Sequence, residues 1–119
     1  MNPELEELTM KVAACQAACN HCYDACLKED DIDKMRECIR TDRDCADICG
    51  VVLDFAHRDS PLFAEIVELC SKTCEQCAEE CEKHHHHDHC RACAEACRAC
   101  AEACRAYIAS ETPKKRIGY

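Results

Sequence analysis

The sequence predicts an all-α protein, an antiparallel up-down-up-down four-helix bundle with a cysteine-lined core. Breaks fall at Glu29-Asp30-Asp31, at Arg58-Asp59-Ser60-Pro61 and in the histidine run from His84 to His89. Between the breaks lie segments of roughly 4 to 28, 32 to 57, 61 to 83 and 87 to 110, with Gly50 as the one glycine and with Ala, Glu, Lys, Arg and Leu, strong helix formers, in abundance. Cysteines recur along these segments at alternating spacings of 4 and 3, which puts them on one face of a helix.

The first segment carries Cys15, Cys19, Cys22 and Cys26 on that face. The acids of the first break offer an N-cap to the second segment, which carries Cys38, Cys45 and Cys49. Its missing seam position is Asp42, so a carboxylate sits in register with the thiols. At the second break Ser60 or Asp59 can cap the third helix, with Pro61 in its first turn. Cys70, Cys74, Cys77 and Cys81 then repeat the spacing of the first segment. The fourth segment extends it to Cys90, Cys93, Cys97, Cys100 and Cys104, with Arg91, Glu95, Arg98, Glu102 and Arg105 between. Helices joined by short connections pack most simply as antiparallel neighbours with their seams inward. Sulfur then replaces Leu and Ile along about 16 Å of each helix, from the 1.5 Å rise per residue.

Antiparallel order makes the two ends different. Leu5, Leu8 and Val12, Val52 and Phe55, Phe63, Ile66 and Val67, and Tyr107 and Ile108 all fall at one end as an apolar plug. The opposite end gathers Met35, Cys38, Cys26, Cys81, Cys90 and the histidine run, a metal-accepting mouth.

With 119 residues the chain fits one domain, expected over 1–110, with 111–119 as a flexible C-terminal tail that holds the basic cluster Lys114-Lys115-Arg116. Leu, Ile, Val and Phe make up only about 15% of it, so the sixteen cysteines must help to hold the fold. A net charge of −9 argues against a nucleic-acid partner. No apolar run approaches the roughly 20 residues of a membrane span. The first residues lack the basic and apolar regions of a secretory signal, so the expected location is the cytoplasm. In a reducing compartment many cysteines argue for metal rather than disulfides.

Deprotonated thiols are soft ligands for Cu(I), zinc or iron–sulfur clusters. Side chains at i and i+4 have Cβ atoms about 5 to 6 Å apart, and a linear ion with bonds near 2.3 Å needs sulfurs about 4.6 Å apart, so one CxxxC pair can clamp a Cu(I) ion. Isolated tetrathiolate zinc sites each carry −2, and several in one core are costly to bury. Bridged Cu(I) thiolates approach neutrality. Zinc in four-cysteine sites is the competing reading. The CxxxCxxC fragments match one iron–sulfur spacing, but any 4-3-4 seam produces it, and the CxxCxxC run of ferredoxins is absent. Disulfide arrays fit poorly, since consecutive pairs on one helix are badly arranged for them. No nucleophile with a base and orienter and no Gly-rich phosphate loop is present, so catalysis is not expected.

The runs Cys38-Ile39-Arg40-x-Asp42-Arg43-x-Cys45-Ala46-Asp47-Ile48-Cys49, Cys19-Asn20-His21-Cys22 and Asp88-His89-Cys90-x2-Cys93-Ala94-x2-Cys97 resemble the cytosolic bacterial copper storage proteins, over about residues 8 to 106. The resemblance implies a bundle holding many Cu(I) ions through thiolates, assembled as a homotetramer, that protects against copper toxicity or reserves copper for enzymes. A delivery protein with one or two exposed sites is the competing class, and sixteen inward ligands suit capacity instead. Beyond the thiols, Asp42 is read as a ligand or partner inside the tube, against a solvated acid on a rotated helix, and His87 and His89 as receivers of Cu(I) at the mouth. His21 reads as a packing or surface residue, Met35 as filler or thioether, and His57 as having no metal role.

Overall fold

The computed structural model describes residues 3–117, and the side chains of residues 3–111. It contains four helices, α1 (Pro3–Leu27), α2 (Ile32–Phe55), α3 (Phe63–Glu82) and α4 (Asp88–Ile117), and no strand among the described residues. The last helix runs on past residue 110, the boundary expected for the bundle. Each helix packs on two neighbours, α1 on α2 and α4, and α3 on α2 and α4. With short loops between consecutive helices, that is the up-down-up-down ring, in a body of 55 × 20 × 20 Å. None of the described helices is long and apolar enough to cross a membrane.

The inward faces are the cysteine seams, and their extensions form the plug. Leu8, Val12, Val52, Phe63, Val67 and Tyr107 are buried, with Leu5, Phe55, Ile66 and Ile108 packed against them. Phe63 meets Tyr107 edge to face at 5.5 Å between ring centroids, joining the start of α3 to α4. The charges between the α4 cysteines turn outward, where Arg98 makes a two-pronged pair with Glu82 at 2.8 and 3.0 Å and Arg105 pairs with Glu75. Exposed pairs of this kind contribute about 0–1 kcal/mol each, so the buried face carries most of the α3–α4 contact. At Gly50 of α2 a Cβ would lie 2.8 Å from Gln16 Nε2, the tip of an α1 side chain that donates to the Ala46 carbonyl at 3.3 Å.

The helix starts differ from the capping expected. Asp31 occupies the N-cap of α2 without a side-chain cap hydrogen bond. Pro61 precedes α3 instead of entering its first turn, and Ser60 Oγ accepts from the Leu62 N–H at 3.2 Å. In both places the turn satisfies backbone groups locally, and burial of the seam holds the helix in place.

Candidate metal centre

All sixteen cysteines are free and buried. Because every helix presents its seam inward, thiols far apart in sequence meet side by side. Cys15 Sγ lies 3.9 Å from Cys19, 3.7 Å from Cys45, 3.8 Å from Cys74 and 3.7 Å from Cys97, so one sulfur touches thiols of all four helices. Cys19 continues the column to Cys97 at 3.6 Å, Cys93 at 3.7 Å and Cys77 at 4.0 Å. Toward the mouth Cys38 stands 3.6 Å from Cys81, 3.8 Å from Cys26 and 4.0 Å from Cys90. At the plug end Cys49 and Cys100 join Cys15 and Cys74 in a set whose ligand atoms all lie within 4.8 Å of one another. Cys70, beside Cys74 at 3.9 Å, and Cys104 complete the buried thiols there.

The CxxxC pairs 15/19, 70/74 and 77/81 have sulfurs 3.9 Å apart, 22/26 has 3.8 Å and 93/97 has 4.0 Å. These are shorter than the roughly 4.6 Å that a linear ion spans, and close to the edge of a three-coordinate site, about 4.0 Å for bonds near 2.3 Å. Side chains on one helix face lean the same way, which draws the sulfurs closer than their Cβ atoms. Most of these sulfurs also have neighbours from other helices at similar distances, so the column offers shared, bridged coordination beside the CxxxC clamps.

Asp42 is completely buried and is not a solvated acid. Its Oδ1 lies 3.3 Å from Cys77, 3.4 Å from Cys93 and 3.6 Å from Cys81, and its Oδ2 lies 3.9 Å from Cys38. Burial, then the charges of Cys93, Cys38 and Cys77, push its carboxyl up to about 12. Hydrogen bonds split the neighbouring thiols. Cys38 is drawn down to about 5, chiefly by Cys22, and Cys93 to about 2, chiefly by Cys19, whereas Cys19 and Cys97 are pushed up, each chiefly by Cys15. Where every member can donate or accept, each thiolate is stabilised by the protons that its neighbours keep.

The mouth is built by the two loops at that end. His89, in the first turn of α4, brings Nδ1 to 3.4 Å from Cys22, 3.5 Å from Cys90 and 3.9 Å from Cys26, and these four residues form one candidate ligand set. His87 stacks on His89, ring centroids 5.3 Å apart, with Nδ1 3.3 Å from Glu29 Oε2 and a buried Nε2 that has no hydrogen-bond partner. His84 Nε2 meets Glu80 at 3.0 Å, while His85 and His86 are exposed. His21 and His57 are exposed on the outer surface, and Met35 is buried. Glu29 was visible in the sequence only as part of a helix break, and it acts across two loops, which helical spacing does not mark. Glu80 meets His84 at the i,i+4 spacing of a helix face.

A helical bundle with a thiol column through its core and an imidazole at one end of it is a protein built to hold many soft metal ions in one core. The chain belongs to the copper storage protein (Csp) family, whose model matches residues 1–109. It is 50% identical over 81 residues to the uncharacterized cysteine-rich protein YhjQ of Bacillus subtilis (strain 168), covering 68% of this chain and 74% of that protein. It is similar to the Cu(I)-bound copper storage protein BsCsp3, at 46% identity and a TM-score of 0.83, covering 88% of this chain and 98% of the other. It also resembles the cytosolic copper storage protein of Streptomyces lividans loaded with five coppers, at 36% identity and a TM-score of 0.86, covering 89% and 92% of the two chains.

Proposed function

We propose that this protein stores Cu(I) at high capacity in the cytoplasm, binding it through the sixteen seam cysteines with Asp42 inside the column and His87 and His89 at the mouth. The observation that carries this reading is the column itself, in which sulfurs stand 3.6–4.0 Å apart from the mouth to the plug side. Bridging thiolates let one sulfur serve two ions, and an equal number of Cu(I) ions and thiolates leaves the core near neutral. Zinc lacks that balance. Burial keeps bound Cu(I) away from solvent and oxidants, which suits a store rather than an enzyme. In this reading residues 1–110 form the storage domain, 111–119 are an appended tail, and the chain assembles as a homotetramer, which light scattering tests.

Anaerobic titration of the reduced, metal-free protein with Cu(I) against a chromogenic chelator tests the function. The expected result is about one tightly held ion per thiol. A ratio of one or two ions per chain overturns storage and leaves a carrier with mostly structural cysteines.

A further inference from the structure

The loop between α1 and α2 and the loop between α3 and α4 meet at one carboxylate. The Glu29 N–H donates to the Cys26 carbonyl at 3.2 Å, which fixes the residue just beyond the last turn of α1. From there Oε2 reaches His89 Nε2 at 2.8 Å and His87 Nδ1 at 3.3 Å. The opposite nitrogen of His89 faces inward, toward the sulfurs of Cys22, Cys90 and Cys26. A carboxylate only accepts hydrogen bonds, so the nitrogen it meets carries the proton. In a neutral imidazole the other nitrogen is then a bare lone pair.

We infer that Glu29 is a positioning residue, which locks His89 as the Nε2–H tautomer and so presents Nδ1 as a ready donor beside the Cys22, Cys26 and Cys90 sulfurs. Without the carboxylate, the ring satisfies those sulfurs by donating Nδ1–H to them, and an incoming Cu(I) ion must first displace that proton. The stacked ring of His87, held by the same Oε2, limits rotation of His89. A carboxylate behind a histidine that faces a metal both fixes its tautomer and raises its basicity. The inference rests on the Cu(I) reading for its purpose, but the tautomer itself is readable without metal.

Two-bond 1H–15N spectra of the reduced, metal-free chain, at a pH where the imidazoles are neutral, report the His89 tautomer directly. The expected result is Nε2–H in the parent protein and loss of that single state in Glu29→Ala. In stopped-flow transfer from a chelator, the first Cu(I) equivalent is expected to load about tenfold more slowly in Glu29→Ala, with the final number of ions unchanged. A parent-like tautomer and rate in Glu29→Ala overturn the inference, as does a loss of capacity that tracks the loss of rate. Failure of the parent protein to take up many Cu(I) ions speaks instead against storage, and leaves the tautomer result standing.

Discussion

Cys77 Sγ and Asp42 Oδ1 lie 3.3 Å apart in the middle of the sulfur column, the shortest of the four thiol contacts that surround this carboxyl group. The pair joins α3 to α2 at the one seam position where the cysteine pattern is interrupted. An oxygen donor is thereby enclosed by sulfur and fully buried, which favours its protonated form.

That protonation has a direction in pH. The Asp42 carboxyl rises from 3.8 to about 12 on folding, so its contribution to stability is full below about pH 4 and is lost progressively as pH rises toward the folded value. The loss is at most about 1.4 kcal/mol per pH unit. Relative to the parent, reduced and metal-free Asp42→Asn should therefore gain stability to urea between about pH 5 and about pH 7, reaching about 1–3 kcal/mol at about pH 7, while the depressed thiols Cys38 and Cys93 act alike in both proteins. An unchanged pH dependence in the variant shows that the carboxyl is ionised in the fold.

Loading should release protons, because thiols bind metal as thiolates. Asp42 lies in a candidate ligand set with Cys22, Cys38 and Cys81. If the carboxylate joins them, a fully loaded chain releases about one more proton than Asp42→Asn does, read with a pH indicator during anaerobic titration. Equal release assigns Asp42 a partner's role without ligation.

The plug should hold the metal-free fold more than it holds metal. Phe63 is nearly buried and packs edge-on against Tyr107, so Phe63→Ala should cost about 3–5 kcal/mol in the apo protein. Bound Cu(I) stabilises the native state by mass action and should recover much of that loss, with the number of ions per chain unchanged. Urea melts of apo and loaded protein make the comparison. A variant that melts like the parent without metal removes the plug from the account of stability.

Much of this was legible in the sequence, because helical spacing is a strong constraint when the repeated residue is unusual. Cys15, Cys19, Cys22 and Cys26 on one face fix which side of α1 is buried, and Asp42 in register with Cys38 and Cys45 fixes its place inside. The spacing did not give the sulfur separations, since these depend on how side chains lean and how four helices interdigitate. Nor did it reveal Glu29, whose partner His89 is 60 residues away in the first turn of α4. Contacts between distant segments leave no period to read.

Capacity and entry should separate between the column and the mouth. Cys97 lies among Cys19 at 3.6 Å, Cys15 at 3.7 Å and Cys93 at 4.0 Å, so Cys97→Ser replaces a shared soft donor with a hard, shorter one. It should lower the number of Cu(I) ions by about one and leave the rate of the first equivalents nearly unchanged. His89 touches three sulfurs at the mouth and none deeper, so His89→Ala should slow the first equivalents while the final count stays close to the parent's. Stopped-flow loading and end-point titration of the same samples measure both quantities. Equal losses of rate and capacity in the two variants would sink the assignment of His89 to entry, because a residue that only admits ions cannot change how many the column finally holds.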